Sequence, residues 1–272
     1  AGLENALINL DCNRKGVNSV SYIMGQSLES TISNGIVIGD VSMDELLGIV
    51  EQHVANGCKR IKLKVSPRDG YERTRLVRDA YPELALAVDA NQSYTYDQLD
   101  MVAAYNDLNL LCIEEPFSMT NLTTYKAWKE SLPNWPITTS ICLDESILSY
   151  DDLSYAIECR LIDVLNVKVG RLGGLIQTRA AILRCREAGI PYWIGSMVES
   201  GISKILHVQL AALGDTYMAG DLSDSSRYFE HDLINPAILF TDGAMQVPNG
   251  AGLGVDVLDN RIEEYTVEKR TL

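Results

Sequence analysis

Residues Ile61–Val65 read Ile-Lys-Leu-Lys-Val, and the rest of the chain is arranged around this stretch. On a β-strand, side chains alternate between two faces, so Lys62 and Lys64 lie on one face and the three apolar residues on the other. Two ammonium groups on an apolar strand are costly unless another group neutralises or uses them. Taken alone, the pattern favours an antiparallel strand with one face in water. The segments that follow change that interpretation.

Apolar runs of strand length recur about every 25–30 residues, which is the size of one βα unit. The predicted strands are centred near residues 36, 61, 86, 112, 140, 166, 192 and 218. Segments with helical apolar spacing separate them, including one that Ser42 and Glu45 open as a capping box. Strands alternating with helices indicate a parallel sheet. Eight units without a G-x-G-x-x-G turn favour an α/β fold of the (β/α)₈ TIM-barrel type over a doubly wound open sheet, with the eighth strand at Tyr217–Ala219.

The composition is that of a globular enzyme-sized chain and excludes several classes of partner. Of the 272 residues, 46% are hydrophobic and 22% are charged, which is enough for one large core. A net charge of −14 argues against nucleic-acid binding and against anionic membranes. The six cysteines form no C-x-x-C pair, so neither a zinc site nor a disulfide framework is indicated. We expect a cytoplasmic protein whose partner is a small molecule, with homo-oligomer formation left open.

Polar residues follow the predicted strands where a barrel places its active site, at the carboxyl ends. Asp89, Glu114 and Asp144 end the third, fourth and fifth strands. Each carboxylate alone could equally be a helix N-cap or a turn residue. Three on neighbouring strands would repel one another, and a divalent cation resolves that conflict. Carboxylate oxygens with open positions for substrate and water suit Mg²⁺, with Mn²⁺ as the alternative ion.

Lysines stand on both sides of this predicted metal site. Lys168 lies on the sixth strand, four strands away from Lys64, so the two side chains would face each other. A lysine close to a dication and to another ammonium has a lowered pKa and can act as a neutral base. The metal would stabilise the enediolate formed when a proton leaves the carbon next to a carboxylate. A Schiff-base lysine is the rival use, but it does not explain three carboxylates.

In combination these motifs resemble the enolase superfamily, and the resemblance covers nearly the whole chain. The matching segments are Lys62-Leu-Lys64, Asp89-Ala-Asn91, Ile113-Glu-Glu-Pro116, Leu143-Asp-Glu-Ser146 and Lys168. A Lys-x-Lys strand with a further lysine on the sixth strand is similar to the muconate-lactonizing subgroup. Within it, three segments resemble o-succinylbenzoate synthases and N-succinylamino acid racemases: 140–147, Trp193–Gly201 and Gly220–Ser223.

The resemblance implies a role for each site residue. Asp89, Glu114 and Asp144 would bind the metal, and Lys64 would be the acid/base that takes the proton. Lys168 would stabilise the enolate, or act on the opposite face in a racemisation. Side chains supporting these groups would be Glu115, Glu145 and Arg171. The pocket for a small carboxylate substrate would be formed by Lys62, Asn91, Gly195, Ser196, Met197 and Asp221.

Family members also carry a capping domain, and the resemblance predicts how the chain is divided. Residues 1–34 would be a remnant of that domain, 35–235 the barrel, and 236–272 a C-terminal segment packed on the barrel or belonging to the cap. The expected activity is Mg²⁺-dependent o-succinylbenzoate synthesis in menaquinone biosynthesis. The alternatives are N-succinylamino acid racemisation or dipeptide epimerisation with two lysine bases, and a non-catalytic truncated barrel fragment. Without its cap, the chain should bind Mg²⁺ but turn over substrate poorly.

Overall fold

The strands occupy short apolar runs that are almost entirely buried. In the computed structural model, which describes residues 1–269, the strands are β1 Thr31–Ser33, β2 Gly35–Ile38, β3 Arg60–Lys64, β4 Leu86–Asp89, β5 Ile113–Glu114, β6 Ile141–Leu143, β7 Val164–Val167, β8 Tyr192–Ile194, β9 Ile234–Asn235, β10 Ala244–Gln246 and β11 Asp256–Val257.

Helices separate the strands of the main sheet, as the sequence spacing predicts. They are α1 Gly2–Lys15, α2 Ser19–Met24, α3 Met43–Ala55, α4 Gly70–Ala80, α5 Leu99–Ala103, α6 Leu122–Ser131, α7 Tyr150–Glu158, α8 Val169–Leu172, α9 Leu175–Ala188, α10 Gly201–Ala211 and α11 Asp259–Tyr265. The predicted capping box opens α3, where the Ser42 hydroxyl donates to Glu45 Oε2 at 2.6 Å. Residues 96–108 form the short α5 between two 3₁₀ turns.

Strands β2 to β8 form one seven-stranded parallel sheet whose order follows the chain. The first seven predicted strands are therefore confirmed. In the register of the sheet, Lys64 pairs with Asp89 and Asp89 pairs with Glu114. Partners on parallel neighbours share a face, so these three residues lie together at the carboxyl edge of the sheet. Two antiparallel pairs, β1 with β10 and β9 with β11, lie outside this sheet.

The eighth predicted strand, Tyr217–Ala219, is not a strand, and that prediction was wrong. The segment makes single hydrogen bonds instead of a ladder: Tyr217 N donates to Tyr192 O at 2.8 Å, and Gly35 N donates to Gly220 O at 2.8 Å. A Cβ at Gly220 would lie 2.3 Å from Ile194 O, so only glycine allows the backbone to approach β8 this closely. The result is an isolated bridge at Gly220 in place of a strand.

The two faces of the sheet contact different apolar clusters, as strand alternation requires. Ile61, Leu63 and Val65 belong to the large cluster shared with the helices. The opposite face carries a smaller cluster that consists of Ala87, Cys112, Cys142, Val164, Trp193 and Met218. Lys62 belongs to this second face, because its ammonium lies 4.9 Å from the centre of the Trp193 ring. The charged side chains therefore sit at one end of an apolar inner layer.

Within residues 1–269, no helix has the length and apolar character needed to cross a membrane. All six cysteines are free thiols. The predicted boundaries at residues 35 and 235 stay a prediction, and residues 270–272 of the predicted C-terminal segment lie outside the described residues.

Candidate active site

Lys62 is buried among three carboxylates. Only 2% of the residue is exposed. Its Nζ lies 2.7 Å from Glu114 Oε2, 3.2 Å from Asp89 Oδ2 and 2.6 Å from Asp221 Oδ2. Burial alone would lower the pKa of this lysine, but Asp221, Glu114 and Asp89 raise it well above its ordinary value. Lys62 is therefore a fixed positive charge rather than a proton acceptor.

Lys64 stands two residues further along β3, at the edge of the sheet, and about a third of its side chain is exposed. Its Nζ donates to Asp89 Oδ2 and to Asn91 Oδ1, each at 2.6 Å. Asn91 in turn donates from Nδ2 to Glu145 Oε1 at 2.8 Å. The ammonium is thus held by two oxygen atoms and has one side open to the pocket described below.

The predicted metal ligands occupy three adjacent strand ends and are all buried. Burial alone would raise the pKa of Asp89, but the positive charges of Lys62 and Lys64 outweigh this effect. The pKa of Asp89 is therefore lowered from its ordinary value. Burial raises the pKa of Glu114, and Lys62 only partly offsets that effect. Glu114 is oriented from a second side by Asn166, which donates from Nδ2 to Oε1 at 2.8 Å.

Asp144 follows β6 and faces two cationic side chains. Lys168 Nζ lies 2.5 Å from Asp144 Oδ2. Arg171 contacts Asp144 Oδ1 through its guanidinium, and burial lowers the pKa of this arginine. The structure therefore brings Arg171 next to the Lys168–Asp144 pair, which is the neighbourhood that the sequence predicted for it.

Glu115 and Glu145 support the strand ends. Glu115 Oε1 accepts from the backbone amides of Asp144 and Ser146, each at 2.7 Å, and so anchors the turn after β6. Its φ of +41° turns it away from Glu114, although the two residues are consecutive. Burial raises the pKa of the Glu115 carboxyl to about 7. Glu145 Oε2 is buried and has no hydrogen-bond partner among residues 1–269.

Asp221 lies beneath the lysine strand and is paired on both oxygens. Its Oδ1 is 2.6 Å from the Arg60 guanidinium, and its Oδ2 is 2.6 Å from Lys62 Nζ. Burial alone would raise the pKa of Asp221, but Lys62 and Arg60 hold it well below its usual range. Asp221 borders the pocket, yet its oxygen atoms are committed to fixing these two cations.

A pocket of about 190 Å³ is lined by half of the predicted site residues. Lys64, Lys168 and Asp89 line it, together with Lys62, Asp221, Ser196 and Met197. Gly195 lies behind its wall, where a Cβ would stand 2.2 Å from Asn166 Oδ1 and 2.9 Å from Lys168 Cε. A larger cavity of about 640 Å³ beside α3 contains none of the predicted site residues. Chemistry rather than size therefore identifies the candidate site.

The family of the chain follows from a match over most of its length. The enolase C-terminal domain-like family matches residues 45–261, well over half of the chain. The chain belongs to the enolase superfamily. This membership accounts for a parallel sheet that carries carboxylates at successive strand ends.

Individual members of the superfamily are similar to nearly the whole chain. An o-succinylbenzoate synthase from Geobacillus kaustophilus is 35% identical over 267 residues, which is 98% of this chain and 69% of that protein. An N-succinylamino acid racemase from Thermus thermophilus is 36% identical over 245 residues, 90% of this chain and 64% of that protein. A solved enolase-superfamily structure from Enterococcus faecalis V583, described as an unknown member, has a TM-score of 0.90 at 30% identity and covers 97% of this chain and 70% of its own.

The donor set of this superfamily member suits a hard divalent cation. Within the part of the chain that the structure describes, no group of three His, Cys, Asp or Glu side chains is arranged around an open metal position. The strand ends are adjacent, but each carboxylate turns to a different cation: Asp89 to Lys64, Glu114 to Lys62 and Asp144 to Lys168. Asp144 Oδ1 is buried and contacts the Arg171 guanidinium. Three buried carboxylates on adjacent strands are a donor set that fits Mg²⁺ or Mn²⁺.

Several supporting residues were missed by the sequence reasoning. Arg60 has the same strand parity as Lys62 and Lys64, and Asn166 the same parity as Lys168, so alternation could have revealed both. His207 and Glu199 also lie behind this site; Glu199 falls within the Trp193–Gly201 segment, whereas no sequence pattern marked His207. Their contacts depend on how α10 packs against the segment that follows Lys168.

Proposed function

We propose that this chain is a Mg²⁺-dependent lyase that dehydrates a cyclohexadiene carboxylate to o-succinylbenzoate in menaquinone biosynthesis. The observation that carries the proposal is that Lys64 and Lys168 line one small pocket together with Asp89. Proton abstraction next to a carboxylate needs a base on one side of the carbon and positive charge to stabilise the resulting enediolate. The names of the relatives point to the same chemistry.

Lys64 is the proposed acid/base. In its neutral form, Nζ takes the proton from the carbon next to the substrate carboxylate, and the C–H electron pair enters the enediolate. The protonated lysine then gives that proton to the leaving hydroxyl group as the C–O bond breaks, so water leaves and a double bond forms. Asp89 and Asn91 hold the amine through hydrogen bonds of 2.6 Å each, which fixes its position during both transfers.

The remaining charges of the site supply stabilisation. Asp89, Glu114 and Asp144 would hold the divalent cation, whose charge favours the enediolate over the starting carboxylate. Lys62 is kept protonated by its three carboxylate neighbours and adds a fixed positive charge. Lys168 lines the same pocket and faces the developing negative charge.

N-succinylamino acid racemisation is the second candidate, and a specific contact favours it. Arg171 and Lys168 share Asp144, so a second cation stands beside the lysine. The contact with Asp144 fixes Lys168 in the wall of the pocket that it lines together with Lys64. Lys64 and Lys168 would then exchange protons at the same carbon from opposite faces.

The closing of the sheet supports a shared pocket. We propose that segment 217–221 takes the place of an eighth strand and completes a (β/α)₈ barrel. Gly35 of β2 bonds to Gly220 at 2.8 Å, and Asp221 N donates to Ile194 O of β8 at 3.2 Å. A closed sheet brings the edge strands together and directs the strand-end side chains to one centre.

Assays of both reactions with Mg²⁺ separate the candidates, using wild type, Lys64→Ala and Lys168→Ala. Dehydration that is abolished in Lys64→Ala and also weakened in Lys168→Ala supports the lyase with its one base. Racemisation lost equally in both variants supports two bases. No Mg²⁺-dependent turnover of either substrate by the wild type would refute both enzymatic functions and leave the non-catalytic fragment.

A further inference from the structure

A buried histidine accepts a hydrogen bond from the backbone directly after Lys168. His207 lies on α10 and is fully buried. Its Nε2 accepts from Val169 N at 3.0 Å. An imidazole nitrogen that accepts a hydrogen bond cannot carry the proton, so in the neutral ring the proton is on Nδ1. The start of α8, next to Lys168 in the chain, is thus tied to α10.

The other side of the imidazole faces the loop that follows β8. His207 Nδ1 lies 3.3 Å from Glu199 Oε1. The same oxygen accepts from Met197 N at 3.0 Å, and the other accepts from the Ser203 hydroxyl at 2.5 Å. Met197 lines the pocket, whereas neither His207 nor Glu199 does. Glu199 therefore contacts both His207 and the backbone of the pocket-lining Met197 from behind the pocket.

The charges around the ring favour its neutral form. Burial lowers the pKa of His207, Lys168 and Lys204 lower it as well, and Glu199 acts in the opposite direction. A protonated imidazole would lose the ability to accept from Val169 N. The neutral ring is the form that the observed hydrogen bond requires.

We propose that His207 and Glu199 are positioning residues that hold the backbone at Lys168 and the loop Ser196–Val198 in one fixed arrangement. The tip of Lys168 is anchored by Asp144, and its backbone is anchored through Val169 by His207. These two anchors, one on the ammonium and one on the backbone, restrict the position of Lys168 Nζ in the pocket. Glu199 couples this restraint to the opposite wall through Met197. The assay of α-proton exchange below rests on the proposed proton transfer, whereas the assay of amide hydrogen exchange at Val169 does not.

Three variants separate positioning from general stability. His207→Leu fills the space but removes the acceptor, and His207→Gln restores an acceptor oxygen near the position of Nε2. Val208→Ala is the control, because it removes buried volume from the same helix without touching this hydrogen bond. Each is compared with the wild type in Mg²⁺ and D₂O by following α-proton exchange of the two N-succinylamino acid enantiomers separately.

The enantiomer served by Lys168 is the one whose exchange disappears in Lys168→Ala. For this enantiomer we expect His207→Leu to slow exchange by roughly tenfold to 100-fold, since misplacement by about 1 Å has such an effect. Exchange of the other enantiomer should change much less, and His207→Gln should recover most of the loss. Equal slowing of both enantiomers, or no slowing, would overturn the proposal. Val208→Ala should show no preference between them.

Amide hydrogen exchange tests the same contact without any turnover. His207→Leu should expose the Val169 amide and speed its exchange at least tenfold, while His207→Gln and Val208→Ala leave it protected. If the wild type exchanges neither enantiomer, the racemisation candidate fails, and the Val169 amide alone decides this inference. A Val169 amide that stays as protected in His207→Leu as in the wild type would refute it.

Discussion

Replacing Asp221 by asparagine should destabilise the fold strongly, although the side chain keeps its size. Asp221 holds Arg60 and Lys62 at once, with 2.6 Å from each oxygen to its cation, and its side chain is 8% exposed. Lys62 keeps Glu114 and Asp89 as partners in the variant. Arg60 keeps the Ala219 carbonyl, which accepts from Nε and Nη2 at 3.0 and 2.8 Å, and the Trp193 ring, whose centre lies 5.1 Å from the guanidinium carbon. A buried guanidinium would thus lose its carboxylate.

The magnitude follows from leaving a buried charge without compensation. Removing one partner of a buried ion pair costs about 3–5 kcal/mol. The asparagine oxygen can still accept one hydrogen bond, so we expect a loss near the lower limit, about 3 kcal/mol. For a chain of this size, about 2–4 °C per kcal/mol then predicts a fall in Tm of roughly 6–12 °C.

Urea unfolding followed by circular dichroism measures this loss directly. The matched control is Asp40→Asn, because Asp40 also pairs with an arginine, Arg68, at 2.9 Å, but both side chains are about two-thirds exposed. That pair should contribute less than about 1 kcal/mol. If Asp221→Asn costs no more than Asp40→Asn, the buried charge network does not stabilise this wall of the pocket.

Two further predictions concern packing and pH. Gly195→Ala would place a Cβ against Asn166 and Lys168. We therefore expect the free energy of unfolding in urea to fall by about 1–3 kcal/mol and turnover to decrease. A Gly195→Ala variant with wild-type stability and turnover would contradict this. Burial lowers the pKa of His207 below 6.5, so the unfolded chain binds the proton first as the pH falls. Unfolding free energies should therefore decrease below about pH 6.5 in the wild type and decrease less in His207→Gln, and parallel curves would refute it.

Strand alternation made much of this fold predictable from local pattern. Lys62 and Lys64 share a face because a strand has a period of two. The apolar residues that alternate with them belong to the large cluster on the opposite face of the sheet. The prediction of an eighth strand failed because the apolar residues of that segment are not paired in a ladder of hydrogen bonds. There the close approach at Gly220 decides the backbone, and hydropathy carries no information about it.

The site was less predictable where it depends on tertiary packing. The carboxylates and lysines follow strands, so their edge of the sheet could be inferred. The pairing of each lysine with a particular carboxylate could not be inferred, because Lys62 has three carboxylates within reach and Asp221 comes from a distant segment. His207 shows the limit most clearly, since a lone histidine in an apolar helix has no pattern that links it to Val169.

Metal binding tests the central claim most directly, namely that Asp89, Glu114 and Asp144 hold one divalent cation between the two lysines. Mn²⁺ titration followed by electron paramagnetic resonance counts bound ions in the wild type and in Asp89→Asn, Glu114→Gln and Asp144→Asn. Asp151→Asn, on the exposed face of α7, is the control. We expect one ion per wild-type chain, at least tenfold weaker binding in each of the three variants, and no change in the control. A wild type that binds no ion, or ligand variants that bind it unchanged, would contradict the account.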